Sequence, residues 1–276
     1  MPSKRIAAEI RYAQALARAA GGALLFSLPL FMTEEMWRFG LYMDRTRLAL
    51  MIAGSLVLLT GVSFYSGFER TSGLLDEAMD ALAAFAVGCV VSLAATAMFG
   101  VITPDMTLGE IAGVVAVCAV PAGMGAVVAA NQLALREEGD DRRKRQAGYL
   151  GEMFLMAAGA LFFGFNVAPT EETVLIAYKM SVAHTVLLAL ASLVVLHLMV
   201  YALGLRGQHE RQEGTGHLAT FLHYSLAGYG VALLVSLGVG WFFERLDGTD
   251  PAMIARMAVV MSMPASIGAA AARLVL

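Results

Sequence analysis

The sequence predicts an all-α polytopic membrane protein of eight transmembrane helices. They form two parallel four-helix repeats, each with a short extra helix between its first and second span. Three observations predict this. The chain of 276 residues is 59% hydrophobic and only 15% charged, with a mean hydropathy of +0.71, too few polar side chains to coat a soluble globule. Eight apolar runs are long enough, at 1.5 Å per residue, to cross about 30 Å of hydrocarbon. The third observation is an echo: Leu24 to Glu35, LLFSLPLFMTEE, returns as Leu161 to Glu172, LFFGFNVAPTEE. Aligned without a gap, Tyr12 to Gly67 and Tyr149 to Gly204 share 16 identities in 56 positions, where such a composition gives roughly five by chance. Tyr12/Tyr149, Gly22/Gly159, Thr33/Thr170 and Ser55/Ser192 are among them, which reads as an internal duplication.

The expected spans are Tyr12 to Met32, Leu48 to Phe68, Leu74 to Ile102, Leu108 to Leu135, Tyr149 to Ala168, Ser181 to Leu205, Leu218 to Phe243 and Met253 to Leu274. Residues 1–138 form the first repeat, 139–147 a cytoplasmic linker and 148–276 the second. Four is even, so both copies enter the membrane from the same side and are related by an axis along its normal. The opening apolar run has no small-x-small site before Met32-Thr33-Glu34-Glu35 and is read as a retained span. An N-inside arrangement puts 13 of the 19 Lys and Arg on the cytoplasmic side, five of them in Arg136 to Arg145, REEGDDRRKR. Both termini are therefore expected in the cytoplasm. Thr33 to Met43 and Thr170 to Met180 read as short helices at or just inside the outer interface, either lying flat or dipping inward. Thr33 and Thr170 suit the N-cap, the glutamates suit the positive helix end, and Asp44 and Ser181 can cap the following span.

Several residues invite a chemical reading. Glu34, Glu35, Glu171 and Glu172 are either ordinary first-turn charges or a cation-attracting ring at an external mouth. Pro121 and Pro264 stand mid-span, where a missing N–H kinks a helix; the segments Pro121-Ala122-x-x-Gly125-Ala126 and Pro264-Ala265-x-x-Gly268-Ala269 read as close-packing surfaces or as hinges. Asp76 and Asp80, with Glu77, lie at the cytoplasmic end of the third span, and His223 at the matching depth of the seventh. Glu152 is one turn into the fifth span and His197 lies deepest, in the sixth. Such groups line a pathway for cations or protons or else snorkel to the interface; snorkelling is the expectation for Asp76, Glu77 and Glu152. Arg256 and Lys179 are placed to neutralise the TEE carboxylates.

Other classes fall away. A net charge of −3 offers nothing to nucleic acid, Cys89 and Cys118 sit in apolar runs, and no catalytic, cofactor or metal-ligand motif is present, so an enzyme is not expected. With its TEE duplication, PAxxGA segments and length, the chain resembles a family of bacterial integral membrane proteins grouped as a domain of unknown function. The resemblance implies a bacterial inner-membrane location and points to a small single-span membrane protein encoded beside it as a partner. The expected function is a channel or transporter for a small cation or for protons; the alternative is a non-transporting scaffold or partner subunit of a membrane complex. Either sits in a lipid bilayer without a cofactor and is compatible with a homo-oligomer.

Overall fold

The computed structural model describes residues 2–66, 74–133, 148–167, 170–201 and 221–275, all helices and their connections, with no strand among the described residues. The chain divides into two compact units, 1–145 and 146–276. In the first are α1 (Pro2–Phe31), α2 (Glu34–Tyr42), α3 (Arg45–Ser66), α4 (Leu74–Met98) and α5 (Leu108–Leu133). The second holds α6 (Tyr149–Phe165), α7 (Glu171–Lys179), α8 (Val182–Tyr201), a π-helical turn (Phe221–Leu226) running into α9 (Ala227–Phe242), and α10 (Pro251–Val275). The REEGDDRRKR connection and the linker 139–147 lie outside the described residues.

Among the described residues, seven helices are long and apolar enough to cross a membrane: α1, α3, α4, α5, α8, the π-turn with α9, and α10. The fifth expected span is shorter than read. α6 has 17 residues, about 26 Å of helix. It ends because Asn166 turns its amide back onto the Phe162 carbonyl at 2.8 Å and its own N–H onto Phe163. α4 likewise stops at Met98, before Ile102, at a turn that holds Gly100 at φ +71°.

In each unit the last long helix is the centre. α5 packs against α1, α2, α3 and α4, and α10 against α6, α7, α8 and α9. Lipid tails are as apolar as leucine, so burying leucine gains little in a bilayer and association rests on close approach of helix surfaces. The contacts are built accordingly. A Cβ on Gly22 of α1 would come within 2.6 Å of the Gly125 carbonyl oxygen of α5; a Cβ on Gly159 of α6 would fall on the Gly268 carbonyl of α10. Ala122, Ala126, Ala265 and Ala269 are fully buried beside them. Pro121 lies inside α5 and Pro264 inside α10, and each helix continues past its proline.

The short helices form where expected, but their caps do not. Thr33 and Thr170 hold the extended N-cap conformation, yet neither hydroxyl accepts from the helix it precedes. Each donates backward instead, Thr33 to the Leu30 carbonyl at 2.8 Å and Thr170 to Val167 at 3.1 Å. Acceptors left open by the preceding turn claim the hydroxyl first. Asp44 does cap α3, its Oδ1 accepting the N–H groups of Thr46 at 2.9 Å and Arg47 at 3.1 Å. The Arg47 N–H in particular holds the Asp44 carboxyl below its ordinary value. A group lowered by folding stabilises the fold above its unfolded value and stops doing so as pH falls through the folded one. Asp44→Ala should therefore lower the melting temperature of detergent-solubilised protein modestly at neutral pH, and the difference from wild type should shrink in acid.

Candidate functional site

At one end of each unit the TEE turn opens the short helix. Glu34, Glu171 and Glu172 are exposed and Glu35 is half-buried. Arg38 Nη1 donates to Glu34 Oε1 at 3.1 Å, one turn apart on a surface where both side chains are more than half exposed, an interaction of about 0–1 kcal/mol. Arg256 does not pair with the glutamates as expected. Its Nη1 donates to the Met180 carbonyl at 3.2 Å, at the other end of α7, where open carbonyls give the negative end of the helix dipole. In the first unit the matching place is taken by Arg45, whose Nη1 lies 2.8 Å from where a Cβ on Gly113 would stand.

At the opposite end of the first unit, the expected snorkelling of Glu77 is overturned. Glu77 is 2% exposed, and its Oε2 accepts the Ser63 hydroxyl at 2.7 Å. A carboxyl on the first turn of α4 pointing at α3 gains a hydrogen bond that lipid cannot supply, and so stays inside. Asp80, one turn on, is half-buried, whereas Asp76 faces outward.

A polar cluster lies at the corresponding end of the second unit, and it retires the expected snorkelling of Glu152 as well. Arg273, from the last turn of α10, is 6% exposed. Its Nη2 donates to Glu152 Oε2 of α6 at 2.7 Å and its Nη1 to the Tyr201 hydroxyl of α8 at 2.6 Å. The guanidinium also lies over two aromatic faces, 5.2 Å from the Tyr201 ring centre and 4.8 Å from that of Tyr224. Each such contact is worth about 0.5–2 kcal/mol, more where water is excluded. Tyr224 comes from the π-turn, an irregularity common at functional sites, and packs edge-on against Tyr149 at 5.7 Å. His197 joins from α8. Its Nδ1 lies 2.7 Å from Ser225 Oγ, and its ring sits 5.4 Å from both Tyr201 and Phe221. His223 is exposed, and its carbonyl accepts the Tyr149 hydroxyl at 3.0 Å.

From this cluster a line of hydroxyls continues along α10. Ser266 and Ser262 are fully buried at seven and eleven residues before Arg273, on the same helix face. Ser262 lies 3.2 Å from the Tyr229 hydroxyl, and Ser266 Oγ makes no hydrogen bond among the described residues.

The described helices thus carry buried charge inside apolar surfaces built for a bilayer. A model of the family described as "Putative integral membrane protein (DUF2391)" matches residues 15–276. The chain belongs to that family. The DUF2391 match runs across both units and takes in the TEE turns, both PAxxGA segments and the Arg273 cluster. No curated protein and no solved structure matches this DUF2391 member.

Of the residues singled out in the sequence, the second unit brings His197 and Glu152 to the cluster around Arg273, with His223 exposed at its edge. Arg273, Tyr201, Tyr224 and Ser225 escaped sequence reasoning. A signal was present: where Arg273, Glu152 and Tyr201 stand, the first copy has Ala130, Ala15 and Phe64. Charge gained in one copy of a duplicated apolar helix is a reason to look for its partner.

Proposed function

We propose that this chain is a channel or transporter for a small cation or for protons and not an enzyme. In this reading, eight spans form two parallel four-helix repeats in the bacterial inner membrane, with both termini in the cytoplasm and the TEE turns at the external mouths. The observation that carries it is the polar interior of the second unit, where Arg273, Glu152, His197, Ser262 and Ser266 are held inside apolar helices. Ionisable side chains at membrane depth are expensive and concentrate where ions or protons pass. Duplication is supported by matched construction: a short helix after Thr-Glu-Glu, a central last helix and a glycine pair between first and last helices recur in both units. α6 counts as the eighth span, since a helix a few ångströms short is accommodated by local thinning of the bilayer.

The scaffold reading has its own support, because Arg38 engages Glu34, and Arg273 and Glu152 neutralise each other. Cation flux into proteoliposomes separates the two. The transport reading expects wild-type flux, partial loss in Glu34→Gln or Glu171→Gln, and larger loss in the double variant at matched incorporation. If the glutamates serve only their helices, the same changes cost a few tenths to about 1 kcal/mol of stability and leave flux alone. Absence of flux under every ion gradient favours the scaffold.

A further inference from the structure

We infer that the π-turn Phe221–Leu226 is a register switch, which holds Tyr224 and Ser225 on their partners while it is wide and withdraws them when its surplus residue moves out. The inference deepens the transport reading and rests on it only for what the movement serves.

A π-turn closes i→i+5 and holds one residue more than an α-turn, a wide and rare geometry that lasts only where contacts outside the helix compensate it. The architecture does not require one here. In the first unit Val91-Ser92-Leu93 of α4 matches Val235-Ser236-Leu237 of α9, which sets Glu77, Met79, Asp80 and Ala81 opposite Phe221, His223, Tyr224 and Ser225. α4 is α-helical from Leu74 to Met98, so the same place in the duplicated fold is filled by an ordinary helix.

The compensation comes from three other helices. Four of the six residues in the turn are tied to them. The ring of Tyr224 lies 4.8 Å from the Arg273 guanidinium of α10 and edge-on to Tyr149 of α6 at 5.7 Å. Ser225 Oγ stands 2.7 Å from His197 Nδ1 of α8, Phe221 packs on the same imidazole at 5.4 Å, and the His223 carbonyl accepts the Tyr149 hydroxyl at 3.0 Å. In α4, Asp80 brings no ring and Ala81 no hydroxyl. The anchoring groups and the irregular turn thus occur together, and in one copy only.

A surplus residue can travel along a helix, and each residue it passes steps round by one place, about 100° at 3.6 residues per turn. A step of that size takes Tyr224 off Arg273 and Ser225 off His197. α9 from Ala227 onward keeps its packing on α6 and α10, and the Arg273–Glu152 ion pair, which joins α10 to α6, stays closed at 2.7 Å. The moving part is one turn of helix, and the ion pair is the fixed post against which it closes. One sequence therefore has two arrangements, a wide turn with its contacts and a regular turn without them.

Pulsed electron–electron resonance on proteoliposomes tests this without requiring transport. In a background with Cys89 and Cys118 replaced by alanine, spin labels are placed at the exposed Leu222 of the turn and Leu150 of α6, and, as a reference, at Leu150 and the exposed Leu234 of α9. Wild type should give a major and a minor distance between Leu222 and Leu150, and one distance between Leu234 and Leu150. Tyr224→Ala and Ser225→Ala should each raise the share of the minor distance several-fold; Ser225→Ala removes only a hydroxyl and decides the matter if Tyr224→Ala does not fold. A single Leu222 distance in all the proteins, a minor distance that neither variant enriches, or the same splitting at Leu234 overturns the inference. Two distances in protein that carries no flux would instead sink the transport reading and leave the switch standing; flux with one unchanging distance does the reverse.

Discussion

Arg273→Ala should destabilise the second unit by about 3–5 kcal/mol, enough to remove most of the folded protein, because it leaves Glu152 as a carboxylate in an apolar site with its ion-pair partner gone. The direction of the companion changes is more informative than the size. Glu152→Gln alone should cost less, since Arg273 keeps the Tyr201 hydroxyl and two ring faces. Combining Arg273→Met with Glu152→Gln should restore much of the loss, as apolar replacements of buried pairs commonly do. Chemical unfolding in mixed micelles of wild type, Arg273→Met, Glu152→Gln and the combined variant gives the coupling between the two sites, and additive losses would show that they do not act as a pair.

Gly159→Leu should be comparably severe for a different reason. The backbones of α6 and α10 meet at Gly159 and Gly268, so even the first carbon of a side chain falls on a carbonyl oxygen and the helices must separate. Separation also withdraws Glu152 from Arg273, so overpacking of about 1–3 kcal/mol is compounded by damage to the ion pair. Gly21→Ala is the control. It neighbours a residue of the same packed pair in the first unit, yet a Cβ there meets nothing within 4 Å, and it should be close to neutral. Yield of monodisperse protein after solubilisation reads both, and equal yields for Gly159→Leu and wild type would contradict the packing described here.

Helix identity and rough extent are legible because the hydrocarbon core sets a length that composition records directly, and the short helices announce themselves through the TEE turns. Ends were less legible. α6 and α4 stop early at Asn166 and before Gly100, where local hydrogen bonding and a positive φ outweigh continued apolarity. Thr33 and Thr170 occupy cap positions without capping, since a hydroxyl placed between two helices can serve either, and sequence does not say which carbonyl is nearer. The buried acids were misjudged for a related reason. Depth along a helix can be counted, but whether Glu77 or Glu152 turns inward depends on a partner from another helix, Ser63 or Arg273, and those pairings are tertiary. Depth along the helix singles out His197, whereas Ser225 reaches it from another element, a pairing that is again tertiary.

The transport reading predicts a hydrated polar path along the α10 face of the second unit, and substituted-cysteine accessibility tests it most directly. In a background with Cys89 and Cys118 replaced by alanine, single cysteines at Ser262 and Ser266, and at the exposed apolar Leu187 and Leu190 as references, are challenged in membranes with a small, water-borne thiol reagent. The path predicts reaction at Ser262 and Ser266, faster when the reagent has access to the Arg273 end, and none at Leu187 or Leu190. Protection of both serine positions from either side, in protein shown to be folded, would contradict the path and leave a dry bundle in its place.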